Sequence, residues 1–334
     1  MRVSMGNKPP ETRLQRNGLI AATAALLFAQ ASLVAAQAYP TRPIRMIVPF
    51  APGGGNDIMG RFIAQKLSER MSQQTVVENR AGADGIIGTE IAARSAPDGY
   101  TILVISTSYT QNAAIHKLPY DPVKSLTPVS LLGTGPNVVY SAPDFAAKSV
   151  PELIAMAKAK PGAVRYASSG IGGFNHFGGE LFNSMAGVKM THIPYKGGGP
   201  SMVDVISGQV EVGFGTLIQA LPHLRSGKLR AIAVGSPRRS PLLPEVPTIS
   251  EAGLPGYDCS VWWGIMAPAG TPGPIVTRLN TEISAVMKDP EMAKRLQAEA
   301  AEPIVAGPEA LAKLIASDLE KWARVVRETG IKAE

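Results

Sequence analysis

The chain has 334 residues, a formal net charge of +7 and one cysteine, and 6% of its residues are aromatic. The single cysteine excludes an intramolecular disulfide, so the fold must depend on its hydrophobic core. The basic residues are spread along the chain without interleaved aromatic side chains, which excludes the usual composition of a nucleic-acid-binding surface. A mild positive charge instead favours a small anion as the ligand.

The first 38 residues have the features of a secretory signal peptide. Arg13 and Arg16 precede an uncharged apolar run over residues 19–36, and the small-x-small pattern Ala36-Gln37-Ala38 ends the segment. Cleavage after Ala38 would leave a net charge of +4, because residues 1–38 contain four basic residues and one acidic residue. The sequence therefore predicts an exported, periplasmic protein.

A permanent membrane anchor is the alternative interpretation of this segment. Thr23 and Gln30 interrupt the apolar run, which is shorter than the ~20 residues that a spanning helix needs. A lipid anchor would require a cysteine at the cleavage site, whereas the only cysteine is Cys259. We therefore expect a soluble mature protein, and we expect it to be a monomer.

The segment after the leader alternates between strand and helix patterns. The apolar stripe Ile58, Phe62, Ile63 and Leu67 has helical spacing. Strands are predicted at residues 44–50, 75–77 and 100–106, helices over 58–67 and 85–93, and a turn at 97–99. This order is typical of an α/β fold with a parallel sheet and helices on both faces.

Prolines interrupt the alternation between residues 118 and 143, and residues 128–139 are predicted to be extended. A second alternating series follows. Its predicted helices cover residues 150–159, 174–185, 201–207 and 221–225, and its predicted strands cover 164–167, 190–194, 211–214 and 230–234. The chain is long enough for its core to divide into two lobes.

The last part of the chain is predicted to return to the first lobe. A proline-rich segment, residues 237–255, leads to an apolar strand at 260–266 and then to two long helices with no strand between them. Lobe 1 is therefore predicted to comprise residues 39–135 and 262–334, and lobe 2 residues 136–261. Two connections between the lobes would allow them to close as on a hinge.

A glycine-rich loop lies between the first predicted strand and the first helix, at the carboxyl end of a strand, where ligands bind in open α/β sheets. Unpaired amides of a first helical turn attract anions, and glycine lets a ligand approach the backbone closely. The candidate binding residues here are Phe50, Gly53, Gly54, Gly55, Asn56 and Asp57. The alternative is that these glycines serve only the turn.

A second loop has the same position in lobe 2, and a third glycine-rich segment follows it. The second loop supplies the candidates Ser168, Ser169, Gly170, Gly172 and His176, and the third supplies Tyr195, Lys196 and Gly197. Lys196 could neutralise an anion or be a solvated surface charge, and His176 could instead have a structural role. Thr107, Ser108 and Tyr109 follow the third strand and could line the same cleft, or simply pack in a loop.

Motifs for catalysis are absent from the sequence. There is no G-x-S-x-G elbow, no dinucleotide or phosphate-binding glycine motif, and no metal-ligand spacing among the four histidines. The sequence therefore predicts a binding protein without a cofactor, a metal site or catalytic residues.

Several segments in order resemble the tripartite tricarboxylate transporter solute receptors, also called Bug-type receptors. They cover essentially all of the chain after the leader. The segments are residues 47–54 with Asp57, 77–82, 97–101, 119–122, 194–198, 227–231, 247–253 and 267–272.

The resemblance implies a two-lobed periplasmic-binding-protein fold, of the Venus flytrap, type II-like kind, that holds a ligand carboxylate between its lobes. On matching positions it implicates Phe50, Gly53, Gly54 and Asp57 in the first loop, and Ser168, Ser169, Gly170 and Gly172 in the second. The chain departs from the family pattern at Gly55-Asn56, at Asp84 in place of a usual glycine, and at Gly215 in place of a frequent aspartate. The last change would disfavour a ligand that carries an ammonium group.

The predicted function is therefore capture of a small carboxylate, such as a di- or tricarboxylate, for delivery to membrane transporter subunits or to a sensor kinase. A receptor for an amino acid, an amide or an aromatic acid such as nicotinate or terephthalate is the alternative within binding proteins. An exported enzyme acting on a carboxylated substrate, and a scaffolding protein that has lost its ligand, are the alternatives from other classes.

Overall fold

Two mixed β-sheets with flanking helices form the two lobes of the protein. A computed structural model describes residues 39–298 and 300–332. The predicted signal peptide, residues 1–38, lies outside the described residues. No helix within the described residues is long and apolar enough to cross a membrane.

The first lobe begins with parallel strands joined by helices. Its first elements are β1 (Ile44–Val48), α1 (Gly55–Met71), β2 (Thr75–Asn79), α2 (Ile86–Ala93), β3 (Thr101–Ser106) and α3 (Ser108–Ile115). Strand β1 lies between β2 and β3 and is parallel to both. Because side chains alternate along a strand, Met46 and Val48 pack on one face of the sheet and Ile47 on the other.

The long strand β4 (Leu126–Ser141) belongs to both sheets. Its first part pairs antiparallel with β9 (Ser260–Pro268), and residues from Asn137 onward pair antiparallel with β7 (Val212–Thr216) and β8 (Arg230–Val234) of the second sheet. Strand β9 in turn pairs antiparallel with β3. The three strands predicted to be parallel, β1, β2 and β3, are parallel. The complete sheet is mixed, because β4 and β9, which connect the two lobes, pair antiparallel with their neighbours.

The second lobe repeats the strand–helix alternation. Its elements are α4 (Val150–Ala159), β5 (Arg165–Ser168), α5 (Phe174–Ala186), β6 (Thr191–Pro194), α6 (Gly198–Ile206), β7 (Val212–Thr216), α7 (Leu217–Arg225) and β8 (Arg230–Val234). Strand β5 is parallel to β6 and β7. The carboxyl ends of these three strands consequently lie at one edge of the sheet, which faces the first lobe.

The last elements are α8 (Gly273–Lys288), α9 (Pro290–Ala298), β10 (Glu302–Ala306) and α10 (Pro308–Thr329), and they return to the first lobe. Strand β10 pairs antiparallel with β4. The prediction of two helices without a strand between them is therefore wrong. The strand is short and contains Pro303, and its partner β4 lies far away in the sequence. The two strands pack closely, since a Cβ at Gly133 of β4 would lie 2.5 Å from the Glu302 carbonyl oxygen.

Helix α3 was also not predicted, because its buried face is polar. Thr110, Gln111 and Asn112 are almost completely buried, so the segment lacks the apolar stripe from which a helix is predicted. The helix packs against α10. Ser108 and Tyr109 consequently lie in the first turn of a helix, not in a loop.

Candidate functional site

A small cavity lies between the two lobes, and the amino-terminal turns of five helices border it. About 30 Å³ of it is open to water, enough for about two or three water molecules. The cavity is lined by Phe50, Gly54, Gly55, Asn56, Ser106, Ser108, Ser169, Phe174, Asn175, Gly198, Thr216, Gln219 and Val261. None of these residues carries a formal charge.

Helices α1, α3, α5, α6 and α7 contribute their first turns to this wall. The residues concerned are Gly55 and Asn56 of α1, Ser108 of α3, Phe174 and Asn175 of α5, Gly198 of α6, and Gln219 of α7. Amides of a first helical turn have no partner within their own helix, and the helix dipole is positive at this end. The cavity is thus suited to an anion without containing a cationic side chain.

The first glycine loop is held in place by Asp57. Its Oδ2 accepts hydrogen bonds from the Gly53 amide at 3.0 Å and from Arg61 Nε at 2.9 Å, and its Oδ1 accepts one from Asn79 Nδ2 at 2.9 Å. Burial alone would raise the pKa of the Asp57 carboxyl, but these hydrogen bonds hold it below its usual value. Asp57 therefore orders the loop and lies outside the cavity.

Asn56 presents its amide group to the cavity side of the first loop. Trp263 Nε1 donates to Asn56 Oδ1 at 2.9 Å, and Asn56 Nδ2 donates to Ser106 Oγ at 3.2 Å. The indole donor fixes which way the side-chain amide points. Asn56 Nδ2, with the Ser106 hydroxyl beside it, can therefore donate to an anion.

Thr216 supplies a further hydroxyl at the start of α7. Its Oγ1 is buried and has no hydrogen-bond partner. An ideal Cβ at Gly55 would lie 2.6 Å from this oxygen, so the two lobes meet closely here. A buried hydroxyl without a partner is costly, and a bound acceptor would satisfy it.

The second glycine loop contributes Ser169 to the cavity, and other members of the loop have internal partners. Ser168 Oγ lies 2.6 Å from His192 Nε2, and His176 Nδ1 accepts a hydrogen bond from the Gly172 amide at 3.1 Å. The His176 ring stacks on His192, and burial lowers the pKa of His176 to about 4. His176 thus has a structural partner and lies outside the cavity.

The predicted site residues accordingly divide into two groups. Phe50, Gly54, Gly55, Asn56, Ser108 and Ser169 line the cavity, whereas Gly53, Asp57, Thr107, Ser168, Gly170, Gly172, His176, Tyr195, Lys196 and Gly197 do not. Thr107 Oγ1 accepts from the Trp262 amide at 3.0 Å, and the Tyr195 hydroxyl donates to Asp204 at 2.5 Å. Gly170, Tyr195 and Lys196 border a separate open groove with Asp84 and His116.

Seven residues that line the cavity were not predicted as site residues. They are Ser106, Phe174, Asn175, Gly198, Thr216, Gln219 and Val261. Ser106 and Thr216 end strands β3 and β7, so the rule that located the glycine loops could also have located them. Gln219 is the third residue of α7 and has no comparable signal in the sequence.

Gly215 lies outside the cavity, against the core of the second lobe. A Cβ here would lie 2.9 Å from the Tyr140 ring, and a Cβ at Gly213 would lie 2.3 Å from the same ring. The two glycines make room for Tyr140 on the adjacent strand. The Cβ of any side chain at position 215 would point at the Tyr140 ring. The replacement of an aspartate by Gly215 therefore does not explain a preference among ligands.

Contacts across the cleft show that the lobes are closed. The Phe174 amide donates to Ser108 Oγ at 3.0 Å, and the Ala51 amide donates to the Lys196 carbonyl at 3.3 Å. Ser169 Oγ donates to Asp84 Oδ1 at 3.0 Å. The described residues contain no group of three or more His, Cys, Asp or Glu side chains that could hold a metal ion.

Comparisons with known proteins agree with this architecture. The model of the tripartite tricarboxylate transporter family receptor matches residues 59–331. Protein BugT of Bordetella pertussis is 41% identical over 318 residues, which are 94% of this chain and 96% of that protein.

Two solved structures from Rhodopseudomonas palustris are similar to the chain. Rpa4515 with adipate has a TM-score of 0.85 at 34% identity and covers 88% of this chain and 99% of its own. MatC with bound malate has a TM-score of 0.83 at 32% identity and covers 86% of this chain and 100% of its own. The resemblance and the two-lobed periplasmic-binding-protein fold predicted from the sequence are thus confirmed. The chain belongs to the tripartite tricarboxylate transporter receptor family, the Bug-type periplasmic solute receptors, which bind their substrates and are not enzymes.

Proposed function

We propose that the protein captures a small carboxylate, such as a di- or tricarboxylate, between its two lobes and presents it to a membrane transporter of the tripartite tricarboxylate type or to a sensor. The convergence of five helix amino termini on a cavity between the lobes that no charged side chain lines supports this proposal. Neutral donors that are already in place can bind a carboxylate without the desolvation of a buried cation. Related proteins carry adipate and malate in their structures.

The lobes of the proposed receptor meet at the strands that cross between the two sheets. Lobe 1 would comprise residues 39–135 and 262–334, and lobe 2 residues 136–261. The strand β4 changes its pairing partners between Pro136 and Asn137, which supports the first boundary. Export by a signal peptide that is cleaved after Ala38, and a monomeric state, complete the proposal.

The same cavity disfavours an amino acid as the ligand. An ammonium group needs a carboxylate or several carbonyl oxygens as partners. No carboxylate side chain is among the residues that line the cavity.

A thermal-shift screen tests the ligand class. Malate, adipate, citrate, aspartate and nicotinate would each be added to the purified protein, whose intact mass would first establish the amino terminus. An acid at a hundred times its dissociation constant adds about 2.7 kcal/mol to the free energy of unfolding. We expect this shift with at least one di- or tricarboxylate, whereas a shift with aspartate or nicotinate alone would contradict the proposal.

Thr216→Val tests whether the cavity is the binding site. Loss of one hydrogen bond to a charged group should weaken binding by about 1.5–3 kcal/mol. Thr75→Val is a matched control, because Thr75 Oγ1 is also buried without a partner but lies on β2, away from the cavity. Equal acid affinities for the two variants in calorimetry would argue against the cavity.

A further inference from the structure

Asp84 is an acidic side chain of the first lobe that lies within the second glycine loop. It follows β2, and its side chain lies between Gly170 and Gly173 of the second lobe. A Cβ at Gly173 would be 2.0 Å from Asp84 Oδ2, and a Cβ at Gly170 would be 2.9 Å from Asp84 Cβ. The side chain therefore occupies space that only glycines on the opposite lobe leave open.

The backbone of Asp84 is held in an uncommon conformation. Asp84 and the preceding Ala83 both have φ near +46°, in the left-handed region where glycine is favoured. Asn112 Nδ2 donates to the Asp84 carbonyl at 2.9 Å and anchors this turn to α3. Such conformations persist where the surroundings impose them, and they are concentrated at binding sites and switches.

The carboxyl group is fully buried but only half satisfied. Its Oδ1 accepts the hydrogen bond from Ser169 across the cleft, whereas its Oδ2 is buried without a partner. No salt bridge involving Asp84 occurs within the described part of the chain. A buried carboxylate without a cation is strongly disfavoured, whereas a protonated carboxyl in the same place is tolerated.

The titratable groups around Asp84 come from both lobes. His116, at the end of α3, lies beside Gly172, and its Nε2 is 3.1 Å from the Ile171 carbonyl oxygen. Burial raises the pKa of the Tyr120 hydroxyl, and the nearby Asp84 adds to this effect. Lys196, on the second lobe, borders the open groove next to Asp84 and is exposed.

Opening the cleft would remove the cause of this burial. Gly170, Gly173 and Ser169 all belong to the second lobe, so separation of the lobes exposes Asp84 to water. In the closed form burial raises the pKa of Asp84 to about 7, and the hydrogen bond from Ser169, with the polar side chains of Ser108 and Asn112 nearby, offsets only part of this effect. In the open form the pKa returns toward its ordinary value of 3.8.

We propose that Asp84 couples closure of the two lobes to the uptake of one proton, so that the receptor holds its ligand more tightly at mildly acidic pH. This inference rests on the proposed function, because it concerns the closure that captures the carboxylate. The carboxyl of Asp84 gains a proton from solvent as the lobes close and returns it as they open.

The direction of the effect follows from the two states. The closed form binds more protons than the open form between the ordinary pKa and the raised pKa, so closure is favoured as the pH falls through that window. From pH 7 to pH 5 the closed form should gain about 50-fold over the open form. Above the raised pKa both forms are ionised, and the dependence on pH levels off.

Carbon-13 NMR on protein labelled at the aspartate carboxyl, together with small-angle scattering, tests the coupling without any added acid. The carboxyl signal that is absent from the spectrum of Asp84→Asn is assigned to Asp84. We expect this signal to titrate above its ordinary range and the radius of gyration to fall between pH 8 and pH 5. Asp84→Asn and Asp84→Gly, the latter suited to the left-handed backbone, should each have a radius of gyration independent of pH. If the Asp84 carboxyl titrates at its ordinary pKa and the radius of gyration of the parent does not change with pH, the proposal is overturned.

Calorimetry with malate as the probe measures the proton directly. At pH 6, titrations in buffers of different ionisation enthalpy should report uptake of up to one proton per bound malate by the parent and none by Asp84→Asn. His116→Gln should still take up the proton. If His116→Gln loses the proton uptake and Asp84→Asn retains it, the assignment to Asp84 is wrong. Failure of malate and of every other acid in the screen to bind would count against the proposed function alone, because the carboxyl titration and the scattering need no acid.

Discussion

Gly54 and Gly55 are neighbours in the sequence, but their surroundings in the closed cleft differ. A Cβ at Gly54 would make only ordinary contacts, the nearest being 3.6 Å from the Gly198 amide nitrogen. A Cβ at Gly55 would lie 2.6 Å from Thr216 Oγ1 and 3.3 Å from its Cγ2. Thr216 belongs to the other lobe, so the close contact at Gly55 exists only when the cleft is closed.

Gly55→Ala should therefore impair closure without damaging the first lobe. The added methyl group would hold Thr216 away, and alanine is favourable within a helix. We expect the compaction that an acid causes in small-angle scattering to be reduced or lost, and the affinity for that acid to fall at least tenfold. The unfolding transition without the acid should remain cooperative.

Gly54→Ala is the matched control for this prediction. Its methyl group has space in the closed form, and the φ of −84° at Gly54 suits any residue. We expect compaction close to that of the parent. Equal loss of closure in both variants would mean that the loop, and not the contact with Thr216, limits closure.

At the scale of elements, Asp318 joins α10 to the rest of the first lobe. Its Oδ2 accepts hydrogen bonds from Trp262 Nε1 at 2.7 Å, from Trp322 Nε1 at 3.4 Å and from Thr110 Oγ1 at 3.4 Å. These donors lie on β9, α10 and α3, and Asp318 itself is buried. One carboxyl group therefore connects three elements.

Asp318→Ala should destabilise the protein by about 2–4 kcal/mol, because it leaves the buried Trp262 indole donor without a partner and opens a cavity. Urea unfolding monitored by circular dichroism measures the loss. Glu320→Ala, at an exposed position two residues further along α10, is the control and should change the free energy of unfolding by less than about 0.5 kcal/mol. Similar midpoints for the two variants would contradict this account of α10.

The elements at the end of the chain also show where sequence patterns are insufficient. The apolar stripe of α10, with Leu311, Ile315 and Trp322, was predicted from its spacing and is buried in the structure. Strand β10 was missed because its five residues include a proline and two exposed side chains. It is a strand because β4 passes beside it, and the pairing of residues far apart in the chain is not encoded locally.

At the scale of the whole molecule, the crossing segments meet around Cys259. The Gly235 amide donates to the Asn137 carbonyl at 2.8 Å, and the Cys259 amide donates to the Gly235 carbonyl at 2.8 Å. The Cys259 side chain is completely buried beside Asn137. Backbone hydrogen bonds between the crossing segments allow the lobes to rotate while limiting their twist.

Cys259 should therefore be unreactive in the folded protein. Burial raises the pKa of its thiol to about 12, and the thiolate is the reactive form. With Ellman's reagent at pH 8 we expect almost no reaction in buffer and one equivalent in urea, because the chain has a single cysteine. Cys259→Ala should give no signal in either condition. A full equivalent within the mixing time in buffer would contradict the packing of the crossing segments.

The sequence by itself was sufficient to predict the family, the two-lobed α/β fold and about half of the residues that line the cavity. Strand-to-helix glycine turns and the alternation of apolar residues are local properties, so Phe50, Gly54, Gly55, Asn56 and Ser169 could be predicted within their own loops.

Only the tertiary structure decided which loops meet. Thr216, Gln219 and Gly198 reach the cavity because of the order of strands in the second sheet and the closure of the cleft, and Asp84 is buried only because the other lobe covers it. Burial and contact between distant segments depend on the packing of the whole chain, whereas turns and periodicity depend on a few neighbouring residues.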